Sequence, residues 1–183
     1  MNNILSINDR DEFRKWLFDN SLIQKECWVV CPRQKPDGIT LCYIDAVEEA
    51  LCFGWIDSVL KNVDGIGYQR FSPRKKNSPW TELNKARARR LIKLGLMTSR
   101  GKKVLPNMRY KEDEIIVKAL KKARIYSKFK QFPKLYQRVR MYNVAFYRRK
   151  DKAMYEASLA RLIEKTKMGE MYGEWNDYGR LID

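Results

Sequence analysis

The sequence predicts an α+β fold: a small, mainly antiparallel three-stranded sheet packed with helices, followed by a helical C-terminal half. Three patterns carry this expectation. Two amphipathic runs and an apolar strand occupy the first 53 residues, two strand-like runs flank an Asp64-Gly65 turn, and helical periodicity dominates from Ser78 onward.

Residues 9–19 read as a helix, with Asp9 and Glu12 spaced as a capping box and Phe13, Trp16 and Leu17 on one apolar face. Cys27–Cys31 reads as a strand, and Arg33 to Gly38 as a polar turn. Residues 43–53 form the second helix, with Ile44, Val47, Ala50 and Leu51 inward and Glu48 and Glu49 outward. Gly54 ends it as a left-handed cap.

Trp55 to Val63 alternates, placing Trp55, Asp57, Val59 and Lys61 on one side. Asp64-Gly65 is a hairpin signal, and Tyr68 to Ser72 returns as the partner strand. Ser78-Pro79 then opens a long helix to about Leu94, closed by Gly95. Thr98 caps a short helix. Residues 111–124, 133–149 and 151–167 read as further helices. The expected organisation is an α+β domain over residues 1–105 and a basic helical segment over residues 106–183.

Composition narrows the chemistry. A chain of 183 residues that is 44% hydrophobic suffices for a real core. No apolar run approaches the roughly 20 residues that span a bilayer. Met1–Ser6 lacks the basic and apolar regions of a signal peptide, so a cytoplasmic location is expected. The four cysteines, Cys27, Cys31, Cys42 and Cys52, are expected to be reduced core residues. The one close pair has three residues between, not the two that zinc sites favour. There is no histidine, which excludes Ser-His-Asp and Cys-His catalysis and leaves carboxylate, Lys, Tyr or thiol chemistry. No metal site and no cofactor are expected.

Charge is unevenly distributed. Residues 1–70 hold 8 Lys/Arg against 11 Asp/Glu, a net −3, and residues 71–183 hold 30 against 11, a net +19. A basic half of this kind attracts polyanions.

A helical wheel over residues 78–95 places Trp80, Leu83, Leu91 and Leu94 on one apolar stripe. Arg87 falls in the middle of the stripe and Asn84 at its edge. A charge that faces inward requires a partner. The hairpin offers Asp57, Gln69, Arg70, Ser72 and Arg74. Two readings stand side by side. In one, these residues converge with Asn84 and Arg87 in a ligand site walled by Trp55 and Trp80, suited to a small anionic or planar molecule. In the other, Asp57 pairs with Arg70 or Arg87 only to fasten the hairpin to the helix, and both tryptophans are core.

The stretch from Tyr43 to Ser58 (Tyr-Ile-Asp-Ala-Val-Glu-Glu-Ala-Leu-Cys-Phe-Gly-Trp-Ile-Asp-Ser) resembles the YdeI/OmpD-associated, or bacteriocin-protection, family. So do Tyr68–Arg74, then Ser78, Trp80, Asn84, Arg87 and Leu91, and the Gly95–Thr98 close. The resemblance covers roughly residues 10–105 and weakens beyond. It implies a bacterial protein with a small α+β domain and a role in envelope stress or resistance to antimicrobial peptides, with no catalytic residues to carry over.

The leading functional expectation is therefore a non-enzymatic binding or stress-response protein with a pocket at the hairpin–helix junction. The alternative is a nucleic-acid-binding protein using the basic half, where Tyr126, Phe129, Tyr136, Tyr142 and Tyr147 are interleaved with cations. Such rings can stack bases, though at helical spacing they also suit a core. A third reading is an enzyme using Asp57 with Arg70 or Arg87.

Overall fold

A computed structural model of the chain describes residues 1–33 and 41–181. The polar turn expected at Arg33–Gly38 lies, from residue 34 on, outside the described residues. The elements are β1 (Ile4–Leu5), α1 (Arg10–Asn20), β2 (Cys27–Val30), α2 (Tyr43–Cys52), β3 (Trp55–Val63), β4 (Ile66–Pro73), α3 (Glu82–Lys93), α4 (Ser99–Lys103), α5 (Glu114–Lys122), α6 (Tyr126–Phe129), α7 (Lys134–Tyr147) and α8 (Lys152–Met168). The chain divides into two compact units, one of Met1–Pro79 with Arg87–Asn107, the other of Trp80–Ala86 with Met108–Asp183.

The first unit holds a four-stranded sheet in the order β1-β2-β4-β3. The three expected strands pair antiparallel, and β1 adds a fourth by pairing parallel with β2. Two residues carry too little alternation to announce such a strand. The hairpin turn forms at Asp64-Gly65, both with positive φ (50° and 82°), which matches the right-handed twist of the flanking strands. Val63 faces Ile66 across it. Gly54 adopts φ 78° after α2, as a left-handed cap requires. Asp9 accepts from the Glu12 amide at 2.8 Å, while the Glu12 carboxylate reaches the Asn8 amide at 2.9 Å, one residue before the cap.

Phe13, Leu17, Val29, Leu41, Ala46, Trp55 and Phe71 form the core of this unit, with Phe13 and Phe71 ring centroids 5.4 Å apart. The expected inward face of α2 is buried. The expected outward face is not outward: Glu48 and Glu49 are 0% and 1% exposed. This corrects the amphipathic reading of α2, and the reason is charge pairing. Glu49 accepts from Arg10 Nε and Arg14 Nη1, both at 2.6 Å. Glu48 accepts from Arg10 Nη1 at 2.9 Å and from Arg90 Nη1 at 2.8 Å. Arg10 Nη1 also reaches Asp45 Oδ1 at 3.3 Å. The arginine side chains keep about a third of their surface exposed while the carboxylates lose all of it. Long guanidinium stems thus cover the acids and leave their own heads partly hydrated. Burial by itself would lower Arg10, but Glu49 and Glu48 outweigh it and hold the guanidinium above its ordinary value.

In the second unit, Ile116, Leu120, Phe129, Tyr136, Met141, Val144 and Leu162 make one buried cluster. Tyr136 is boxed edge-on by Phe132, Trp175 and Tyr172. The helix expected from Ser78 begins four residues later, at Glu82. Thr81 is the cap, its Oγ1 accepting from the Asn84 amide at 3.0 Å, and Pro79 contributes its carbonyl to Arg74 Nη1 at 3.0 Å instead. Likewise α5 starts at Glu114 because Asp113 caps it through the Ile115 and Ile116 amides, 3.1 Å each.

Glu48→Ala removes the carboxylate shared by Arg10 and Arg90 and should cost about 3 kcal/mol, toward the lower end for a broken buried pair because the arginines retain some water. Urea denaturation measures it. A loss below about 1 kcal/mol would mean that the pairs behave as surface ion pairs do.

Candidate functional site

Of the expected constellation, Asp57 anchors the polar cluster that forms. Asp57 and Tyr43 are both half-buried. The Tyr43 hydroxyl, at the first residue of α2, donates to Asp57 Oδ2 at 2.7 Å. The Arg33 guanidinium lies over the Tyr43 ring, 5.3 Å from its centroid. Burial, then Asp57, push the Tyr43 phenol well above its ordinary value, while Arg87 and Arg33 oppose them. Arg74 feels the same carboxylate: burial pulls its guanidinium down and the Asp57 charge resists. Asp57, Arg74 and Arg87 therefore act on one neighbourhood, to which Tyr43 and Arg33 contribute unforeseen. Tyr43 stood in the sequence as a helix-opening residue, and nothing in its local pattern linked it to a carboxylate 14 positions on.

The other expected residues serve elsewhere. Trp55 is 1% exposed, donates its indole N–H to the Ser21 carbonyl at 3.1 Å and meets Trp16 edge-on. It is core and walls no open site. Gln69 is buried and spans the irregularity between Asp57 and Leu60, donating to the Val59 carbonyl at 3.2 Å. Asp57 pairs with Phe71 across the ladder, so Arg70 and Ser72 project from the opposite face. There Arg70 binds Glu26 at 2.7 Å and Ser58 Oγ at 3.2 Å. A catalytic pairing of Asp57 with Arg70 has no geometry. Arg87 is 7% exposed, as its place on the apolar stripe predicts, whereas Leu94 is 52% exposed. Trp80, half-buried, and Asn84, buried, belong to the second unit.

Because the Asp57 charge raises the Tyr43 phenol, Asp57→Asn should lower it, as followed by NMR titration of the ring carbons. An unmoved Tyr43 titration would dissolve the cluster as a unit.

The second unit contains an open cavity of about 520 Å³, lined among others by Glu82, Lys85, Tyr110, Met141, Tyr142 and Arg148. The sequence pointed to Lys85, Tyr142 and Arg148, as parts of a basic, aromatic surface, and not to Glu82, Tyr110 or Met141. Glu82 Oε1 accepts from Lys85 Nζ at 2.7 Å. The Tyr110 hydroxyl meets Met141 Sδ at 3.1 Å. Burial, aided by neighbouring carboxylates that include Glu82, holds both Tyr110 and Tyr142 above the usual phenol range. Both rings therefore stay protonated at neutral pH. Arg148 Nη2 binds Asp113 at 2.5 Å. Burial opposes ionisation of Asp113, but Arg148 and the Ile116 and Ile115 amides prevail and hold its carboxyl below the usual range.

A depressed folded value means that the stabilisation from Asp113 is complete above its unfolded pKa, about 4, and is lost as pH falls through the folded value. Asp113→Asn should flatten the acid limb of the stability profile, measured by urea unfolding from neutral pH downward. An unchanged acid limb would remove Asp113 as its source.

The rings proposed to stack bases divide. Phe129 and Tyr136 are fully buried in the core, while Tyr126, Tyr142 and Tyr147 are half-buried. The four cysteines are buried thiols outside any disulfide, and Cys42 Sγ donates to Asp45 Oδ2 at 2.8 Å. Burial pushes the Cys31 thiol up to about 12 and that of Cys52 to about 11, which suppresses thiolate chemistry. Among the described residues no group of three or more Cys, Asp or Glu is placed to hold a metal ion, and no helix is long and apolar enough to cross a membrane.

No curated protein and no solved structure matches the chain. A family model described as a domain of unknown function, DUF8412, matches residues 5–104. That span is more than half of the chain and takes in β1 through α4, with Tyr43, Asp57, Arg74 and Arg87. The chain belongs to the DUF8412 family.

Proposed function

We propose that this is a non-enzymatic binding protein whose site is the Tyr43–Asp57 cluster, and that its ligand is a small molecule carrying a carboxylate or phosphate. One observation carries the reading: the Tyr43–Asp57 pair is half-buried beside the exposed Arg33, which stacks on the Tyr43 ring. A guanidinium seated over a ring still has N–H groups for an oxyanion, and the ring offers apolar surface to a planar group. The resemblance of residues 43–58 and 68–74 to the YdeI/OmpD-associated family supports placing such binding in an envelope-stress or peptide-resistance response. At a net charge of +16, capture of cationic peptides is disfavoured by repulsion, so the protective role on this reading is indirect.

A thermal-shift screen of phosphates, nucleotides and small carboxylic acids tests the reading, because a ligand of the native state raises Tm. A hit should weaken at least about tenfold in Arg33→Ala, the loss of one charge-assisted contact. A flat screen, or a hit indifferent to Arg33, defeats it.

A second reading, binding of nucleic acid by the helical unit, is favoured by the exposed Lys118, Lys121 and Lys122 of α5 and Lys152 and Arg161 of α8. With Phe129 and Tyr136 in the core, this binding would rest on charge more than on stacking. It should therefore fall steeply as salt rises. Absence of RNA or DNA binding at low salt excludes it.

A further inference from the structure

We propose that the turn closing α1 is a membrane-contact tip: Phe18, Leu22 and Ile23 enter the headgroup region of an anionic phospholipid surface, and the cations around them hold its charge. This surface belongs to the first unit and shares no residue with the Tyr43–Asp57 cluster.

Leu22 and Ile23, each 73% exposed, are the most exposed aliphatic side chains among the described residues, and Phe18 is 62% exposed. Helical bonding continues past Asn20, with the Ser21 amide donating to the Leu17 carbonyl and the Gln24 amide to the Asn20 carbonyl, both at 2.9 Å. Phe18 and Leu22 therefore stand side by side, four residues apart on one helical turn, and Ile23 adjoins them. Phe13 and Leu17 of the same helix are fully buried, so the core stripe of α1 is already filled and these three lie off it. Single exposed apolar residues are ordinary, whereas a contiguous group marks a contact surface.

The backbone of the tip suits it to lipid. A helix C-terminus ordinarily leaves its last carbonyls to water, which resists transfer to a less polar medium. Here the protein takes them. The Trp16 carbonyl accepts from Asn20 Nδ2 at 2.9 Å, that of Phe18 from Arg100 Nη1 at 2.7 Å, and that of Ser21 from Trp55 Nε1 at 3.1 Å, while the Leu17 and Asn20 carbonyls accept the amides already named. The charge of the partner follows from the rim. Lys15 lies one turn before Phe18 on its face, and Lys25 follows shortly after Ile23, both exposed. The Arg100 guanidinium stands 5.6 Å from the Phe18 ring centroid, and Lys102 and Lys103 of the same short helix are exposed. Asp19 is the one acid between Phe18 and Lys25, and Glu26 is bound by Arg70. The size of the tip argues against a protein partner. A stable protein interface buries about 800 Å² per side, more than three side chains on one turn supply, whereas a few inserted apolar groups with charge attraction suffice for a shallow membrane contact.

The full chain is sedimented with vesicles of mixed phosphatidylcholine and phosphatidylglycerol, and with vesicles of phosphatidylcholine alone. It should bind the anionic vesicles at least about tenfold more strongly than the neutral ones. Phe18→Ser, Leu22→Ser and Ile23→Ser together should weaken that binding at least about tenfold, with the melting transition kept because the three side chains are exposed. Leu22→Trp keeps an apolar side chain. It should bind as the native chain does, and its emission should be quenched by acyl-chain-brominated lipid beyond the quenching of the native chain, a readout that stands even if the serine variant fails to fold. Attraction by the basic residues 71–183 alone would leave the folded serine variant with native affinity, and that result overturns the proposal. So would absence of binding to anionic vesicles, equal binding to neutral ones, or no added quenching in Leu22→Trp. A native chain that dimerises in solution, with the serine variant monomeric, would give the tip to a second copy and overturn it as well.

Discussion

Two carboxylates on one helix, Glu48 and Glu49, constrain the first unit more than any apolar contact in it. Both are excluded from water on a helix that is buried on every side from Ile44 to Cys52. Isolated, either charge would be far too costly to bury. Arg10 and Arg14 from α1 and Arg90 from α3 meet them at 2.6–2.9 Å. The network therefore fixes the rotation of α2 and the register of α1 on it, because a shift of one residue would leave at least one carboxylate unmatched. Buried ion pairs of this sort contribute little net stability over an apolar replacement. Their effect here is to make one arrangement of these helices far better than its neighbours.

That arrangement carries the candidate site. With α2 held by its acidic face, its first residue, Tyr43, is delivered to Asp57 on the sheet. The strand ladder does the rest. Asp57 lies opposite Phe71, so it shares the helix-covered face, and Arg70 is sent to the other side to bind Glu26. A carboxylate on the covered face needs a donor, and the Tyr43 phenol supplies one without adding charge. The second unit solves the same problem less completely. Its buried Glu82 has one oxygen matched by Lys85 and one unmatched, and an open cavity lies alongside. Each unit thus takes a carboxylate wholly or partly out of water and pairs it with a side chain of its own fold.

How far local sequence informs depends on how local the determining interaction is. The Asp64-Gly65 hairpin, the Gly54 cap and the Asp9 and Thr98 caps all rest on contacts within a few residues, and all were legible. The inward placement of Arg87 was legible as well, because a cation on an apolar stripe contradicts the pattern around it. The start of α3 was misread, since Ser78-Pro79 and Thr81 are both acceptable openings. The choice fell to a carbonyl–guanidinium contact from Arg74. Trp55 invited a reading as a site wall because it neighbours Asp57, yet its indole N–H is satisfied by a carbonyl 34 residues earlier.

The sequence by itself determined the fold class, most element positions, the charge asymmetry and the exclusion of histidine chemistry, since periodicity, turn residues and composition act locally or sum over the chain. Only the tertiary structure decided which side chains lose water together. Glu48 and Glu49 fit the polar face of an amphipathic helix by periodicity, and they are buried because arginines 35 to 42 positions away reach them. Tyr43 and Asp57 meet for the same kind of reason, as does the joining of Glu82 with Tyr110 and Tyr142 around one cavity. Desolvation and charge pairing depend on distances in space, and no periodicity in the chain encodes them.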